Sequence, residues 1–342
     1  MRRRRSEGGR LFRSAAALLA ALTLGPSAGV AVAGAQDANA AGAISLLLPL
    51  GARLVGVGGA GVAGQFGAES QLVNPAALGF ATRREISLLH GQDLSARRDL
   101  LSVVIPQRRL GTFAGSGYLV NLGEVPATDD FGNQIGTVYS RTVSLAASYA
   151  STFGRDVAVG LTYRLLQVRF DCSGTCTNPN VPTFTDNEGG TASMVDVGAQ
   201  YDLRRHLPLA LGLSLRNLGR RLQVRDSEQS DALPTQLAVG ARYDVAAIAR
   251  LDTNARLRVS ADVVRGLGAA GADPAVHVGA EGTFRNTFML RGGWVQKRGD
   301  SGPSVGFGYA SRRIGFDVAR QISGLSVDAG EPPTFVALRY YF

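Results

Sequence analysis

Apolar and polar residues alternate along most of the chain, and this period of two constrains the fold more than any other feature. In residues 207–218, Leu209, Leu211, Leu213 and Leu215 share one face, while small and polar residues occupy the other. Successive side chains point to opposite faces of a β-strand, so such a segment has one face in an apolar medium and one in a polar medium. The pattern predicts an all-β protein.

Fourteen segments of this kind follow one another from residue 84 to the end of the sequence. An antiparallel sheet with an even number of strands can close into a barrel that begins and ends at the same side. We therefore predict a 14-stranded antiparallel transmembrane β-barrel. The predicted strands are 84–91, 99–106, 110–121, 138–151, 155–170, 191–202, 207–218, 234–245, 255–265, 273–284, 287–296, 303–310, 312–321 and 333–342.

The lengths of the predicted connections alternate as well. Long loops at one end and short turns at the other are typical of outer-membrane barrels, whereas a secreted β-sandwich, the competing fold, has no reason to sort its loops in this way. The long connections are 122–137, 171–190, 219–233 and 322–332, and the short ones are 107–109, 152–154, 203–206 and 285–286, with 246–254 as the weakest case.

Aromatic residues recur at the ends of even-numbered segments, on the apolar face of each. Such rings lie in the headgroup layer at the edges of membrane barrels. We predict an interfacial girdle, and the alternative is a set of rings at the edge of a soluble core. The residues are Tyr149, Tyr201, Tyr243, Phe284, Tyr309 and Tyr340.

The last segment alternates up to the final residue, with Val336, Leu338, Tyr340 and Phe342 on its apolar face. This ending looks like the terminal-strand signal that the outer-membrane barrel assembly machinery recognises. That machinery and outer-membrane lipid are therefore expected partners. A closed barrel also pairs every strand, which the interior of a bilayer requires.

The first 35 residues have the features of a secretory signal peptide. An arginine cluster precedes an apolar stretch from Ala15 to Gly25, and Ala33 and Ala35 flank a cleavage site of small residues. The arginines have no place on a buried helix, which is the alternative. Six Arg and one Glu there account for five of the nine net positive charges of the chain, so the remainder gives no indication of nucleic-acid binding.

Residues 36–83 do not alternate and are rich in glycine. They contain GARLVGVGGAGVAG at 51–64 and NPAALG at 74–79. Together with the strand that follows, these motifs resemble the PorV/PorQ family within the FadL-like group of outer-membrane barrels. The resemblance implies a 14-stranded barrel with an N-terminal segment folded into its lumen as a plug. It divides the chain into a signal peptide (1–35), a plug segment (36–83) and a barrel (84–342).

The glycines and the Asn-Pro pair of this segment are candidates for a plug or gate. Glycine allows close backbone approach and positive φ, and Asn-Pro favours a turn, as a segment in a crowded lumen needs. A movable gate and a static stopper both remain open. The candidates are Gly56, Gly58, Gly59, Gly61, Asn74 and Pro75.

Charged residues of both signs occupy the predicted inward faces, which indicates a hydrated lumen crossed by ion pairs rather than an open anion pore. His277 and Glu281 share an inward face, where they form either a pH-sensitive pair or part of a solvated wall. The inward set is Arg164, Arg216, Arg242, Arg256, Arg258, Asp244, Asp262, Glu281 and Arg339.

Cys172 and Cys176 fall in the predicted loop after the fifth strand. In an oxidising compartment this spacing predicts a small disulfide, because a metal site would need two further ligands. No metal site is expected.

Residues 56–61 match G-x-G-x-x-G, but a nucleotide site needs a strand before the glycines and a helix after them, which this sequence does not provide. No catalytic Ser, His and Asp combination or carboxylate pair is evident. The sequence predicts no enzyme, no cofactor, and neither nucleotide nor nucleic acid as a partner.

The resemblance implies two functions. PorV-like proteins hold exported proteins at the cell surface in type IX secretion, and FadL-like proteins move fatty acids or other hydrophobic molecules across the outer membrane. The modest loops favour a non-enzymatic outer-membrane protein for export or surface attachment, with exported proteins or secretion components as partners. The alternative is FadL-like passive transport of hydrophobic small molecules.

Overall fold

The computed structural model describes eleven stretches of the chain. The predicted signal peptide lies outside the described residues, as do the first residues of the predicted plug. The described residues are 44–47, 50–93, 96–129, 131–174, 188–204, 207–223, 230–245, 254–267, 273–298, 300–322 and 332–342.

Fourteen long antiparallel strands form one sheet, and the sheet closes because the first strand pairs with the last. Glu85 lies opposite Tyr341 and Leu88 opposite Leu338 across this seam. The predicted 14-stranded barrel is confirmed. Its strands are β1 (Glu85–Asp93), β2 (Ala96–Gln107), β3 (Gly111–Thr128), β4 (Gln134–Phe153), β5 (Val157–Gly174), β6 (Glu188–Asp202), β7 (Leu209–Gly219), β8 (Thr235–Asp244), β9 (Ala255–Leu267), β10 (Pro274–Phe284), β11 (Phe288–Lys297), β12 (Asp300–Ala310), β13 (Ile314–Gln321) and β14 (Thr334–Tyr341).

The predicted loop 122–137 is mostly strand. A register shift between Asn121 and Glu124 interrupts the alternation, and pairing then resumes and continues to a five-residue turn between β3 and β4. The Asp129 carboxylate closes this turn by accepting from the Phe131 and Asn133 backbone nitrogens, at 2.9 and 2.8 Å. The bulge shifts the period by one residue, which hides the strand from a search for strict alternation.

The predicted alternation of loop lengths is less regular in the structure. Only two residues separate β1 from β2, and two separate β11 from β12, although both connections lie at the long-loop end. Two short strands, Leu222–Gln223 and Ser230–Asp231, also pair beside β6 within the predicted loop 219–233.

The two faces of the barrel wall have opposite character. Outward-facing Leu101, Leu145 and Leu290 are about half exposed or more, whereas inward-facing Thr162 and Ser214 are fully buried. An apolar exterior around a polar interior is the reverse of a water-soluble domain and is the arrangement that lipid requires.

Short helices precede the barrel strands. They are the α-helix α1 (Ala52–Gly56) and the 3₁₀-helices Ile44–Leu47, Gly67–Leu72 and Pro75–Phe80. Their apolar side chains, such as Leu54, Val55 and Leu78, are buried. None of the helices in the described part of the chain has the length and apolar character needed to cross a membrane.

Candidate functional site

The plug, by which we mean residues 50–83, lies against a belt of glycines on the inner wall. A Cβ atom added at any of them would meet plug atoms; at Gly293 it would overlap the Gly58 nitrogen, and at Gly212 the Val62 carbonyl. Only glycine lets the two backbones approach this closely. The belt consists of Gly160, Gly198, Gly212, Gly240, Gly279, Gly293 and Gly306.

The predicted Asn-Pro element fastens the plug to the wall. Asn74 is fully buried, and its Nδ2 donates to the Val62 carbonyl (2.7 Å) and to the Ala199 carbonyl of β6 (3.2 Å). Its Oδ1 accepts from the Ala76 nitrogen, which caps the 3₁₀-helix that begins at Pro75. The amide therefore joins two plug segments and one barrel strand.

Polar side chains of the wall bind further backbone groups of the plug. Asp262 accepts from the Val62 nitrogen at 2.8 Å, Gln200 donates to the Val62 carbonyl at 2.8 Å, and Arg242 donates to the Ala63 carbonyl at 3.0 Å. Because the plug has little regular structure, these bonds satisfy groups that would otherwise be buried without partners.

The predicted gate glycines lie in this contact zone. Gly58 and Gly59 have positive φ, as expected for glycine in a tight turn. Gly56 faces Arg291, and Gly61 lies against Leu54. The structure shows how these residues are packed, and a gating role for them stays a prediction.

A carboxylate from the next segment caps α1. Glu69 is buried, and its Oε2 accepts from the Arg53 and Leu54 nitrogens at 3.0 and 3.2 Å. Burial raises the pKa of Glu69 to about 7, while the Arg53 guanidinium acts to lower it.

His277 does not pair with Glu281. Its Nδ1 donates to the Gly58 carbonyl at 2.7 Å, so the histidine holds the plug. Glu281 instead accepts from Arg291 at 2.7 Å and from Arg258 at 3.4 Å.

A chain of ion pairs crosses the lumen wall near the short-turn end. Asp317 lies at its centre with a fully buried side chain that accepts from Arg291 at 2.8 Å and also from Arg339. Arg291 and Asp317 were not among the predicted inward charges. The chain runs through Asp244, Arg258, Glu281, Arg291, Asp317 and Arg339.

A cavity of about 270 Å³ lies between the plug and the wall in the long-loop half of the barrel. Its apolar lining comes from both the plug and the strands. The Tyr118 hydroxyl is buried and has no hydrogen-bond partner among the described residues. The apolar lining includes Leu50, Leu54, Val55, Leu72, Leu100, Ala146, Val264, Ala275 and Val295.

One corner of the cavity is polar and held in place by a bulge. Asn217 has a positive φ beside a register shift in the β6–β7 pairing, and its nitrogen donates to Asp196 at 2.7 Å. Asp196 also binds Arg164 at 2.5 Å, and Arg216 donates to the Leu72 carbonyl of the plug at 2.8 Å. Both arginines line the cavity: Arg164 is paired with Asp196, and Arg216 donates to the Leu72 carbonyl and to the Gln236 amide oxygen.

The predicted girdle residues all lie at the short-turn end of their strands. Five are exposed on the outer face, and Tyr243 is partly buried. Phe113 and Phe288, which sequence reasoning missed because they begin odd-numbered strands, pack beside Tyr149 and Tyr309 with ring centres 5.2 and 5.6 Å apart. A headgroup role for these rings remains a proposal.

The C-terminal residues of the predicted assembly signal lie on the outer face of β14 and just beyond it. Val336, Leu338, Tyr340 and Phe342 are all exposed there. Their recognition by the assembly machinery stays a prediction.

The predicted disulfide involves Cys176, which lies outside the described residues, so this pairing stays a prediction. Among the residues that the structure describes, no three or more His, Cys, Asp or Glu side chains are grouped as metal ligands would be.

No protein-family model matches the sequence, and no curated protein matches it. Comparison with solved structures does find similar proteins. The Ralstonia pickettii toluene transporter TbuX superposes with a TM-score of 0.57 at 14% identity, over 85% of this chain and 97% of that one. The Pseudomonas putida toluene transporter TodX gives 0.57 at 11% identity, over 85% and 96%. A Pseudomonas aeruginosa FadL homologue gives 0.54 at 11% identity, over 86% and 98%.

Identities this low establish the fold alone. The chain has the fold of FadL-like outer-membrane transport barrels, and the predicted outer-membrane location agrees with that fold and with the apolar exterior. The finer resemblance to PorV/PorQ finds no support in these comparisons.

Proposed function

We propose that this protein is a passive outer-membrane route for small hydrophobic molecules, with the cavity above the plug as its binding site. The observation that carries the proposal is the position of the cavity, which lies between the plug and the wall in the long-loop half of a membrane barrel. A molecule arriving from outside would meet this cavity before the plug. The cavity is therefore the binding site that we propose on the route from outside to the plug.

The size of the cavity favours one-ring molecules. An apolar protein cavity of about 150 Å³ is enough to bind benzene. The cavity here, at about 270 Å³, has room for a substituted ring and is too small for an extended long-chain fatty acid. The substrate class we propose is therefore the monoaromatic or similarly compact hydrocarbon.

The lining suits such a ligand. Leu54 and Val55 of the plug and Leu100 of the wall supply apolar contact, and the unpartnered Tyr118 hydroxyl offers one polar contact. Small-molecule sites are commonly built in this way, from apolar walls with a few polar groups that fix orientation. TbuX is described as a toluene transporter and CymD as a monoaromatic hydrocarbon channel, which supports the same class here.

The protein-export hypothesis is the less favoured of the two. The solved structures with this fold are described as transporters and channels, and none of the comparisons supports an export role. It would gain support if exported proteins or secretion components co-purified with the barrel in detergent.

Uptake of labelled toluene by Gram-negative cells that express the chain tests the transport proposal. Ala146 lines the cavity, whereas the neighbouring Ala147 faces outward on the same strand. We expect wild-type protein to raise uptake over cells carrying an empty vector, and Ala146→Trp to remove most of that increase because its indole fills the cavity.

The matched control is Ala147→Trp, which places the same side chain in lipid and should keep wild-type uptake. Equal uptake by the two variants, or no increase with the wild type, would contradict the proposal. The amount of folded barrel is measured for each variant by the change in gel mobility on heating. This control shows whether a difference in uptake comes from a difference in assembly.

A further inference from the structure

Three arginines lie in a row on the outer face of the barrel, where a lipid-facing surface would be expected to be apolar. Arg97, Arg141 and Arg169 are all exposed, and they lie on β2, β4 and β5. The strand register places them at one height, since Arg97 is opposite Asn121, Asn121 is opposite Arg141, and Arg141 is opposite Arg169. We call these three residues the arginine row.

The arginine row places like charges next to one another on the outer face. Like charges directly opposite one another on a sheet repel, and Arg141 and Arg169 are such a pair. No member of the row forms an ion pair with any residue that the structure describes. Asp99, the acidic residue beside Arg97, bonds to His90 at 2.7 Å instead. Glu124 and Asp171 lie on the same outer face, one step from the row toward the long-loop end, and neither forms an ion pair with it. An anion bound between these guanidinium groups would relieve their repulsion.

The height of the row matches a lipid headgroup layer. Arg141 lies eight residues along β4 from Tyr149, which belongs to the aromatic rim at the short-turn end. Eight residues of strand rise about 27 Å, or roughly 20 Å along the axis of a barrel tilted by about 40°. This spacing approaches the apolar band of about 25 Å that outer-membrane barrels show. The row therefore lies at the opposite, long-loop edge, which faces the outer leaflet.

A groove of about 820 Å³ opens on the same exterior, next to the row. The exposed side chains of Leu145, Tyr163 and Leu165 line it on the apolar side, and Arg220 and Arg221 line it on the other. The Arg220 backbone nitrogen donates to the Ser193 carbonyl at 3.3 Å, which places this part of the chain beside β6. The groove combines a surface for an acyl chain with guanidinium groups for an acidic headgroup.

We propose that the arginine row and this groove bind a phosphorylated, acylated lipid of the outer leaflet, of the lipid A type. Guanidinium groups bind phosphate through paired, charge-assisted hydrogen bonds, and two of them side by side would hold one phosphate between them. The acyl chains would lie along Leu145, Tyr163 and Leu165. This inference depends on the barrel lying in the outer membrane and is independent of what crosses the lumen.

The test titrates the purified full-length barrel in detergent with diphosphorylated lipid A and with the same lipid after removal of both phosphates, and counts bound lipid by native mass spectrometry. We expect the phosphorylated lipid to bind at least about tenfold more tightly, as loss of one charge-assisted interaction implies. Equal binding of the two lipids would overturn the proposal without any variant.

The variant Arg141→Gln/Arg169→Gln should lose about tenfold in affinity for the phosphorylated lipid. The matched control is Arg312→Gln/Arg313→Gln, which removes two exposed arginines from the short turn between β12 and β13 and should bind as the wild type does. Equal losses in both double variants would overturn the assignment to the row.

Two further arms separate the remaining outcomes. The phosphorylated disaccharide without acyl chains should bind much more weakly than the lipid, and equal affinity would overturn the role of the groove. If the double variant does not fold, as judged by its gel mobility before heating, Arg169→Gln alone provides the comparison and should show a smaller loss in the same direction.

Discussion

Replacing Gly293 with valine should displace the plug from the inner wall of the barrel. A Cβ at Gly293 would overlap the Gly58 nitrogen and the Val57 carbonyl carbon, and backbone atoms cannot move aside as a flexible side chain can. Overpacking of this kind costs about 1–3 kcal/mol or more in a well-packed interior. We expect a loss of stability at the upper end of this range and an increase in ionic conductance when the variant is inserted in a planar bilayer.

Gly292 provides the control, because it precedes Gly293 on β11 and an added Cβ there would meet nothing within 4 Å. Gly292→Val should unfold and conduct as the wild type does. If Gly293→Val retained both wild-type stability and wild-type conductance, the close packing of plug and wall would be contradicted.

Replacing Asp317 with alanine should destabilise the barrel by about 3–5 kcal/mol, the usual cost of removing one partner from a buried ion pair. Asp317 bridges Arg291 and Arg339, and all three side chains are almost completely buried. Its removal leaves Arg339 without a carboxylate. Denaturant-induced unfolding in lipid vesicles, followed by the fluorescence of Trp294, measures the change.

The same substitution at Asp273 is the control for burial. Asp273 pairs with Arg298 at 3.3 Å, and both side chains are mostly exposed to solvent. Exposed pairs contribute between 0 and about 1 kcal/mol, so Asp273→Ala should be close to neutral. Similar losses for the two variants would show that the lumen near Asp317 is hydrated and that its ion pairs are screened.

The strand count was predictable from the sequence because lipid on one side and polar groups on the other impose a period of two on every strand. The period fails where the backbone is irregular. The bulge near Gly123 in β3 shifts the register, so the extension of β3 and β4 beyond the membrane band was missed. Only the pairing of β3 with β4 in the structure shows that the two strands continue beyond the bulge as a hairpin.

The presence of a plug segment was predictable from the sequence, whereas the wall residues that contact the plug were not. Gly212 and Gly293 occupy inward positions where any small or polar residue would fit the alternation, and their need for glycine depends on plug atoms distant in sequence. Asp317 and Arg291 were missed for a related reason. A charge on an inward face looks the same whether it meets water or an opposite charge, and only the register of the strands from β11 to β14 shows which charges meet.

The central claim is that the outer face of this barrel meets lipid, and the single tryptophan of the chain tests it directly. Trp294 lies on the outer face of β11, about half exposed, opposite Val278 and Pro303 of the neighbouring strands. In reconstituted vesicles, lipids brominated on their acyl chains should quench Trp294 strongly, and the aqueous quencher acrylamide should quench it weakly. Strong quenching by acrylamide with none by brominated lipid would contradict the account.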